Sequence, residues 1–192
     1  MEIPVVGFDP SLNNWGWATG FYNYITDTVR IDRIGVISPD TKKDKRVRKN
    51  SHDIERAEVL SEGVFNLLEN HDPFVVFIEV PVGSQSARAM ASYGICIGVI
   101  GAVRSQISIS VFEVTPTELK VRVADNKQAS KDDIINWAVS LYPSIDWPRN
   151  KSQAIVKSKA EHSADAIGAI HAGVAGFDFH NYLQFLKQFN KG

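Results

Sequence analysis

The amino-acid sequence predicts an α/β protein with one mixed, five-stranded sheet and helices on both faces. Apolar runs of strand length occur at five places, and three-to-four apolar spacing marks helices between and after them. Gly, Pro, Asn and Asp, which are typical of turns, occur between these segments. A chain of 192 residues, 44% of them hydrophobic, suits a single domain over residues 1–192, and no repeat or linker divides it.

Three strands open the chain as a meander. The first is the apolar run at residues 3–8, which ends at Asp9. After the turn-rich residues SLNN, the segments WGWATGFY and TVRIDRIGVI provide the second and third strands. The other two strands are residues 74–78, which run into Glu79, and residues 107–114.

Two helices are predicted before the last strand. Apolar spacing from residue 50 onward, with Ser51 available as the cap, predicts the first of them. Many small side chains over residues 84–105 predict the second, which must pack closely against its neighbours to offset the cost of its glycines.

The remaining helices follow the last strand. Thr115 and Glu118 have the spacing of a capping box that begins a short helix, and Ser130 caps the next one. Residues 144–159 are predicted as loop, and a long helix covers about residues 160–176. An aromatic tail, residues 177–192, closes the chain and favours core or dimer packing over base stacking.

Cysteine content and hydropathy predict the compartment. Cys96 is the single cysteine and cannot form an internal disulfide, and the first ten residues lack the features of a secretory signal. No apolar run approaches the roughly 20 residues that cross a bilayer. We therefore expect a soluble protein of the reducing cytoplasm.

The basic residues are unevenly placed. The net charge of −1 does not by itself indicate a polyanionic partner. Six bases and one acid nevertheless lie within residues 42–49, a local charge of +5, and a thinner basic stretch lies within residues 149–159. Each stretch alone is either a solvated loop or a phosphate contact, and the two together favour phosphate contact.

Two carboxylates, Asp9 and Glu79, stand where apolar strands end. Functional groups of open α/β sheets usually lie at these strand ends. A buried carboxylate is costly unless a cation or hydrogen bonds compensate it, so a divalent metal site is the simplest explanation. A buried salt bridge to Lys or Arg is the alternative.

The last long helix adds a second polar pair. His162 and Asp165 are three residues apart and share a face with small side chains, so the helix can lie close to the sheet. The alternative is an ordinary capping or solvent-facing pair, and Glu161 could replace His162 as a ligand. Carboxylates with one imidazole suit Mg²⁺ or Mn²⁺, and two such ions would promote phosphodiester hydrolysis.

Several motifs, in this order, resemble the RuvC-type Holliday junction resolvases of bacteria and their phages, members of the RNase H-like superfamily. VVGFDPSLNNWGWA resembles the strand and turn with the family's first catalytic aspartate, here Asp9. FVVFIEVP resembles the strand with the catalytic glutamate, here Glu79. VTPTELKVRVADNKQASKDDI resembles the segment with two phosphate-binding lysines, here Lys120 and Lys131.

The closing motif completes the resemblance. HSADAIGAI is similar to the family's last catalytic segment, which places the final two metal ligands at His162 and Asp165. The resemblance implies an RNase H-like fold and a homodimer whose two sites nick opposed strands of a four-way DNA junction. It also implies two Mg²⁺ ions per site, with Mn²⁺ as a substitute. The cofactor-binding and catalytic set is then Asp9, Glu79, His162 and Asp165.

The sequence departs from the family at two points. The family often has a bulky aromatic residue just after the catalytic glutamate, whereas Val80, Pro81 and Val82 follow Glu79 here. The family is also usually more basic. Junction opening and affinity are therefore expected to differ, and the two basic stretches would compensate for the low charge.

Three other functions remain open. An actin-like or sugar-kinase ATPase would need a second domain of the same kind, for which the chain has no room. A catalytically silent junction-binding protein would not need Asp9, Glu79 and Asp165. A nuclease of the same fold that cuts other branched DNA or RNA/DNA hybrids is consistent with every motif.

Overall fold

A five-stranded mixed sheet lies at the centre of the protein, seen in a computed structural model that describes residues 2–39, 48–80, 83 and 86–189. The strand order is β3-β2-β1-β4-β5, with β1 antiparallel to β2 and parallel to β4. This confirms the predicted mixed sheet. The strands are β1 (Glu2–Asp9), β2 (Trp15–Asn23), β3 (Thr28–Ile37), β4 (Val75–Glu79) and β5 (Ser110–Val114).

In the described part of the chain, six helices cover the sheet, and they lie on both faces as predicted. They are α1 (Lys49–His71), α2 (Ala87–Gln106), α3 (Pro116–Ala124), α4 (Lys131–Leu141), α5 (Lys157–Val174) and α6 (Phe177–Phe189). Helices α1 and α2 pack on one face against a cluster that includes Val6 and Ile78. Helices α3 to α6 pack on the other face, against a cluster that includes Val5 and Phe77.

The alternation of side chains along β1 and β4 determines which face the carboxylates share. Val6 and Ile78 belong to the α1–α2 face, whereas Val5 and Phe77 belong to the α5 face. Because side chains alternate along a strand, Asp9 and Glu79 point toward the α5 face.

Helix α5 lies unusually close to β1 and β2, and two glycines make that approach feasible. A β-carbon on Gly7 would lie 2.1 Å from the carbonyl oxygen of Ala166, and one on Gly16 would lie 2.1 Å from the carbonyl oxygen of His162. Neither contact leaves room for any side chain. The predicted close approach of the last long helix to the sheet is therefore confirmed. It places the N-terminal half of α5 against the strand ends.

Helix boundaries differ from the prediction mainly at N-termini. Helix α1 begins at Lys49 with Arg48 at the N-cap and no side-chain cap, so Ser51 is not the cap. The backbone N–H of Ser51 donates to the Arg48 carbonyl at 3.0 Å, which places Ser51 inside the first turn. Helix α5 begins at Lys157, three residues earlier than predicted. Both capping residues predicted for α3 and α4, Thr115 and Ser130, are confirmed.

The aromatic tail is largely helical. Its helix, α6, buries Phe179 against Phe77 and Phe112, and leaves Phe177 exposed. Core packing therefore accounts for part of the tail. Of the helices in the described residues, none combines the length and apolar character that a bilayer crossing requires. Most of the basic stretch at residues 42–49, and Pro81 and Val82, lie outside the described residues.

Candidate active site

The two carboxylates predicted at strand ends leave the sheet side by side. Asp9 and Glu79 are the last residues of β1 and β4. These strands are parallel neighbours, and Phe8 pairs with Ile78, so Asp9 and Glu79 stand one step beyond the last pair at the same level. Parallel pairing therefore brings Asp9 and Glu79 together at one edge of the sheet, although they are 70 positions apart in the chain. We call this pair the carboxylate edge.

Helix α5 brings His162 to this edge. Its Nδ1 lies 2.7 Å from Oδ2 of Asp9, so the imidazole donates a hydrogen bond to the carboxylate. That hydrogen bond raises the pKa of His162 against the opposing effect of burial. The other ring nitrogen, Nε2, lies 3.6 Å from Oε1 of Glu161. His162 is thus held between two carboxylates, and its protonated form is favoured.

Glu79 lies in an environment that disfavours its negative charge. Its Oε2 is buried, and no hydrogen-bond partner reaches it from the described residues. Burial, followed by the negative charges of Asp165 and Asp9, raises the pKa of Glu79 to about 8. An ionised, unpartnered carboxylate oxygen in such a site is costly, so the site favours either a proton or a metal ion.

Asp165 belongs to the same electrostatic group. Burial raises its pKa to about 7, and the negative charge of Asp9 contributes in the same direction. The positive charges of Lys131 and His162 act in the opposite direction. The structure therefore brings all four predicted ligands into mutual electrostatic range.

The two predicted phosphate-binding lysines flank this group. Lys120 is half-buried, and its charge lowers the pKa of Glu79. The ammonium of Lys131 donates a hydrogen bond to Oε2 of Glu161 at 2.7 Å. Sequence reasoning did not predict this pairing, because nothing in the local pattern connects residues 30 positions apart. In this structure Glu161 is therefore the partner of Lys131, the lysine that was expected to bind a phosphate.

The donor set fits a hard divalent cation. Three carboxylates and an imidazole are the ligands that Mg²⁺ and Mn²⁺ take in proteins, and one oxygen of Glu79 has no partner. Within the described ranges, no three His, Cys, Asp or Glu side chains converge as a preformed metal site would require. The four-ligand set therefore stays a prediction that the local chemistry favours.

Thiol chemistry is a poor alternative. Cys96 is 1% exposed inside the α1–α2 cluster. Burial raises the pKa of its thiol to about 12, so the nucleophilic thiolate is scarce at neutral pH.

Comparison with known proteins identifies relatives of this arrangement. No protein-family model matches the sequence. The chain is 33% identical over 79 residues to the crossover junction endodeoxyribonuclease RuvC of Pseudothermotoga lettingae, which covers 41% of this chain and 49% of that protein. It is 27% identical over 146 residues to the RuvC of Hyphomonas neptunium, which covers 73% of this chain and 78% of that protein.

The chain is similar in sequence to proteins named RuvC. The solved structure of T. thermophilus RuvC in complex with a Holliday junction substrate has the same fold, with a TM-score of 0.66 at 17% identity. That match covers 90% of this chain and 93% of the T. thermophilus chain. The first curated RuvC relatives are matched over about half of their length, 49% and 46%. The RuvC-like fold is thus shown over nearly the whole chain.

Proposed function

We propose that this chain is a metal-dependent, structure-selective DNA endonuclease that resolves four-way junctions by paired phosphodiester hydrolysis in the cytoplasm. The observation that carries the proposal is the carboxylate edge, where Asp9 and Glu79 leave parallel strands together and Asp165 faces them from α5. The sequence relationship to RuvC supports the choice of a branched DNA substrate.

Asp9, Glu79, His162 and Asp165 would hold the metal in this proposal. Two bound Mg²⁺ ions would activate the attacking water and stabilise the leaving oxygen. His162 donates its Nδ1 proton to Asp9, which orients that carboxylate, and its Nε2 would bind the metal in the neutral form of the ring. Such hydrogen bonds to metal-binding carboxylates orient them and tune their basicity.

Lys120 and Lys131 would bind phosphates of the cleaved strand. Lys120 already lies close enough to Glu79 to affect its charge, and Lys131 reaches the same site. Because Lys131 is largely exposed, a DNA phosphate can replace Glu161 as the partner of Lys131 without disrupting the core. Glu161 would then hold Lys131 in position until DNA arrives.

The proposal is tested by cleavage of a synthetic mobile four-way junction beside matched duplex, flap and RNA/DNA hybrid substrates, with Mg²⁺ or EDTA. We expect symmetric paired nicks that are confined to the junction and require metal. Cutting of flaps or hybrids instead would keep the nuclease site and reassign its substrate. A complete lack of cleavage on all substrates would contradict the proposed endonuclease activity and favour a junction-binding protein without catalysis.

Asp9→Asn is expected to eliminate cleavage while the protein still folds and binds the junction. The amide cannot supply the negative charge a metal needs, and the loss should exceed about 100-fold, the upper range for losing only an outer partner of a metal site. Cleavage rates and junction affinity, measured on the same preparation, separate the two effects. Wild-type cleavage by Asp9→Asn would show that Asp9 is not a ligand.

A homodimer is the second part of the proposal, and α2 offers a surface for it. Met90 and Ile97, both 41% exposed, lie on one face of α2 together with Gly94 and Gly101. A β-carbon on either glycine would meet nothing within 4 Å. Glycines in an exposed helix cost about 1 kcal/mol each relative to alanine, and no contact in the described chain explains them. Close packing against the α2 of a second copy would explain this face.

Ile97→Glu is expected to convert the dimer into a monomer without unfolding it. The substitution places a charge at the centre of the α2 face, and the side chain is already partly exposed, so the fold tolerates it. Sedimentation equilibrium measures the mass, and Leu141→Glu on α4, at 49% exposure, is the matched control. Paired nicks should become single nicks in Ile97→Glu alone. An unchanged mass for Ile97→Glu would remove α2 as the interface.

A further inference from the structure

A cavity of about 570 Å³ lies beside the candidate active site and shares His162 with it. The turn after β1, the end of β3, the connector before α5 and the first turns of α5 form its walls. This volume falls within the range of about 300 to 1,000 Å³ that is typical of small-molecule sites. The cavity is therefore large enough for one building block of a substrate to enter.

Cationic side chains give the cavity a preference for anions. Arg149 and Lys159 line it, and Asp146 is the acidic residue in its described lining. The Nη1 of Arg149 donates to the carbonyl of Gln153 at 2.8 Å, and Arg149 pairs with Ile155 in a short β-bridge. One nitrogen of the guanidinium thus has a backbone partner in its own loop. A positioned guanidinium is well suited to a phosphate.

Other residues of the lining offer hydrogen bonds and an apolar surface. The Ser38 hydroxyl donates to Oδ1 of Asn14 at 3.0 Å, which joins the turn after β1 to the end of β3. Val36 and Pro148 add apolar surface to the same cavity. A ligand that combines an anionic group with a flat, partly polar ring would meet a matching surface on each side.

We propose that this cavity binds one nucleotide of the cleaved strand, directly beside the scissile phosphate. Its phosphate lies against Arg149 and Lys159, and its base lies against Asn14 and Ser38. The inference rests on the proposed function. On this one face of the sheet, basic groups then flank the carboxylates, with Lys120 near β4 and Arg149 in the cavity at the end of β3. Shared contact through His162 makes this nucleotide the neighbour of the cut.

The test uses the full chain as the Asp9→Asn variant, so that bound junctions stay intact. Junctions with one neutral methylphosphonate at each position around the cut are titrated against this parent and against its Arg149→Ala and Lys159→Ala derivatives. The exposed Arg33→Ala on β3, which is not among the cavity residues, is the charge-matched control. We expect one methylphosphonate position to weaken parental binding, and to weaken binding by the Arg149 and Lys159 variants to a smaller extent.

The salt dependence provides a second readout. Each cavity variant should reduce the magnitude of the slope of log K against log salt by up to about 1, the change expected for one lost phosphate contact, while Arg33→Ala leaves the slope unchanged. An abasic nucleotide at the sensitive position should weaken binding by the parent and should not further weaken binding by the Asn14→Ala variant. Cavity variants that respond like Arg33→Ala at every position would overturn the nucleotide site while junction preference stands. A parent that does not prefer the junction to duplex would overturn the proposed function as well.

Discussion

Glu79→Gln is expected to stabilise the metal-free protein at alkaline pH and to abolish its cleavage activity. In the folded chain, burial and the charges of Asp165 and Asp9 raise the pKa of Glu79 from 4.5 to about 8. Glutamine has a similar shape and no charge to bury. The gain in stability and the loss of activity would therefore have one physical cause.

The sign of the pH dependence follows from proton binding. Between pH 4.5 and about 8 the folded protein holds a proton on Glu79 that the unfolded chain has released. Stability is therefore highest below pH 4.5 with respect to this group and falls as the pH rises to about 8. At pH 8.5 the glutamine variant should be more stable by on the order of 3 kcal/mol, and at pH 4.5 by little.

Urea unfolding in EDTA at the two pH values measures this difference. Glu113→Gln, which removes an exposed carboxylate from β5, is the matched control and should show no such pH dependence. Saturating Mg²⁺ should stabilise the wild type and narrow the gap at pH 8.5, because a ligand that binds only the folded state raises its stability. Equal stability of wild type and Glu79→Gln at pH 8.5 would show that the site does not destabilise the ionised form of Glu79.

The sequence predicted the carboxylate edge because strand alternation and strand ends are local properties. An apolar run that stops at an acidic residue identifies Asp9 and Glu79 without knowledge of the partner strand. The register that places Phe8 beside Ile78 depends on the whole sheet and could not be read from either segment. The small-residue face of the last helix was likewise visible locally, whereas its 2.1 Å approach to Gly7 was not.

Contacts between distant polar side chains escaped prediction for the same reason. Glu161 was recognised as a neighbour of His162, but its ion pair with Lys131 depends on how α4 packs against α5. The Asn14–Ser38 hydrogen bond joins residues whose local sequences carry no chemical signature. The misassigned Ser51 cap shows the opposite limit, since a favourable capping residue is not used when the helix begins three residues earlier, at the Arg48 N-cap.

Gly7→Ala is expected to cause a large loss of stability for a substitution that adds a single methyl group to the sheet. The added β-carbon would lie 2.1 Å from the Ala166 carbonyl oxygen and 2.7 Å from Cγ1 of Ile170. The first obstacle is helix backbone, which cannot rotate away as a side chain can. Helix α5 must therefore move off β1, which breaks core packing and displaces His162 and Asp165 from the carboxylate edge.

Overpacking of a core usually costs about 1 to 3 kcal/mol, and this site should reach or exceed the upper value because backbone is involved. Thermal and urea unfolding of Gly7→Ala measure the loss. The control is Gly98→Ala on α2, where a β-carbon meets nothing within 4 Å, and there helix propensity predicts a gain of up to about 1 kcal/mol. If Gly7→Ala were as stable as wild type, α5 would not lie against β1 at this distance. The carboxylate edge and His162 would then lack the rigid support that their proposed chemistry requires.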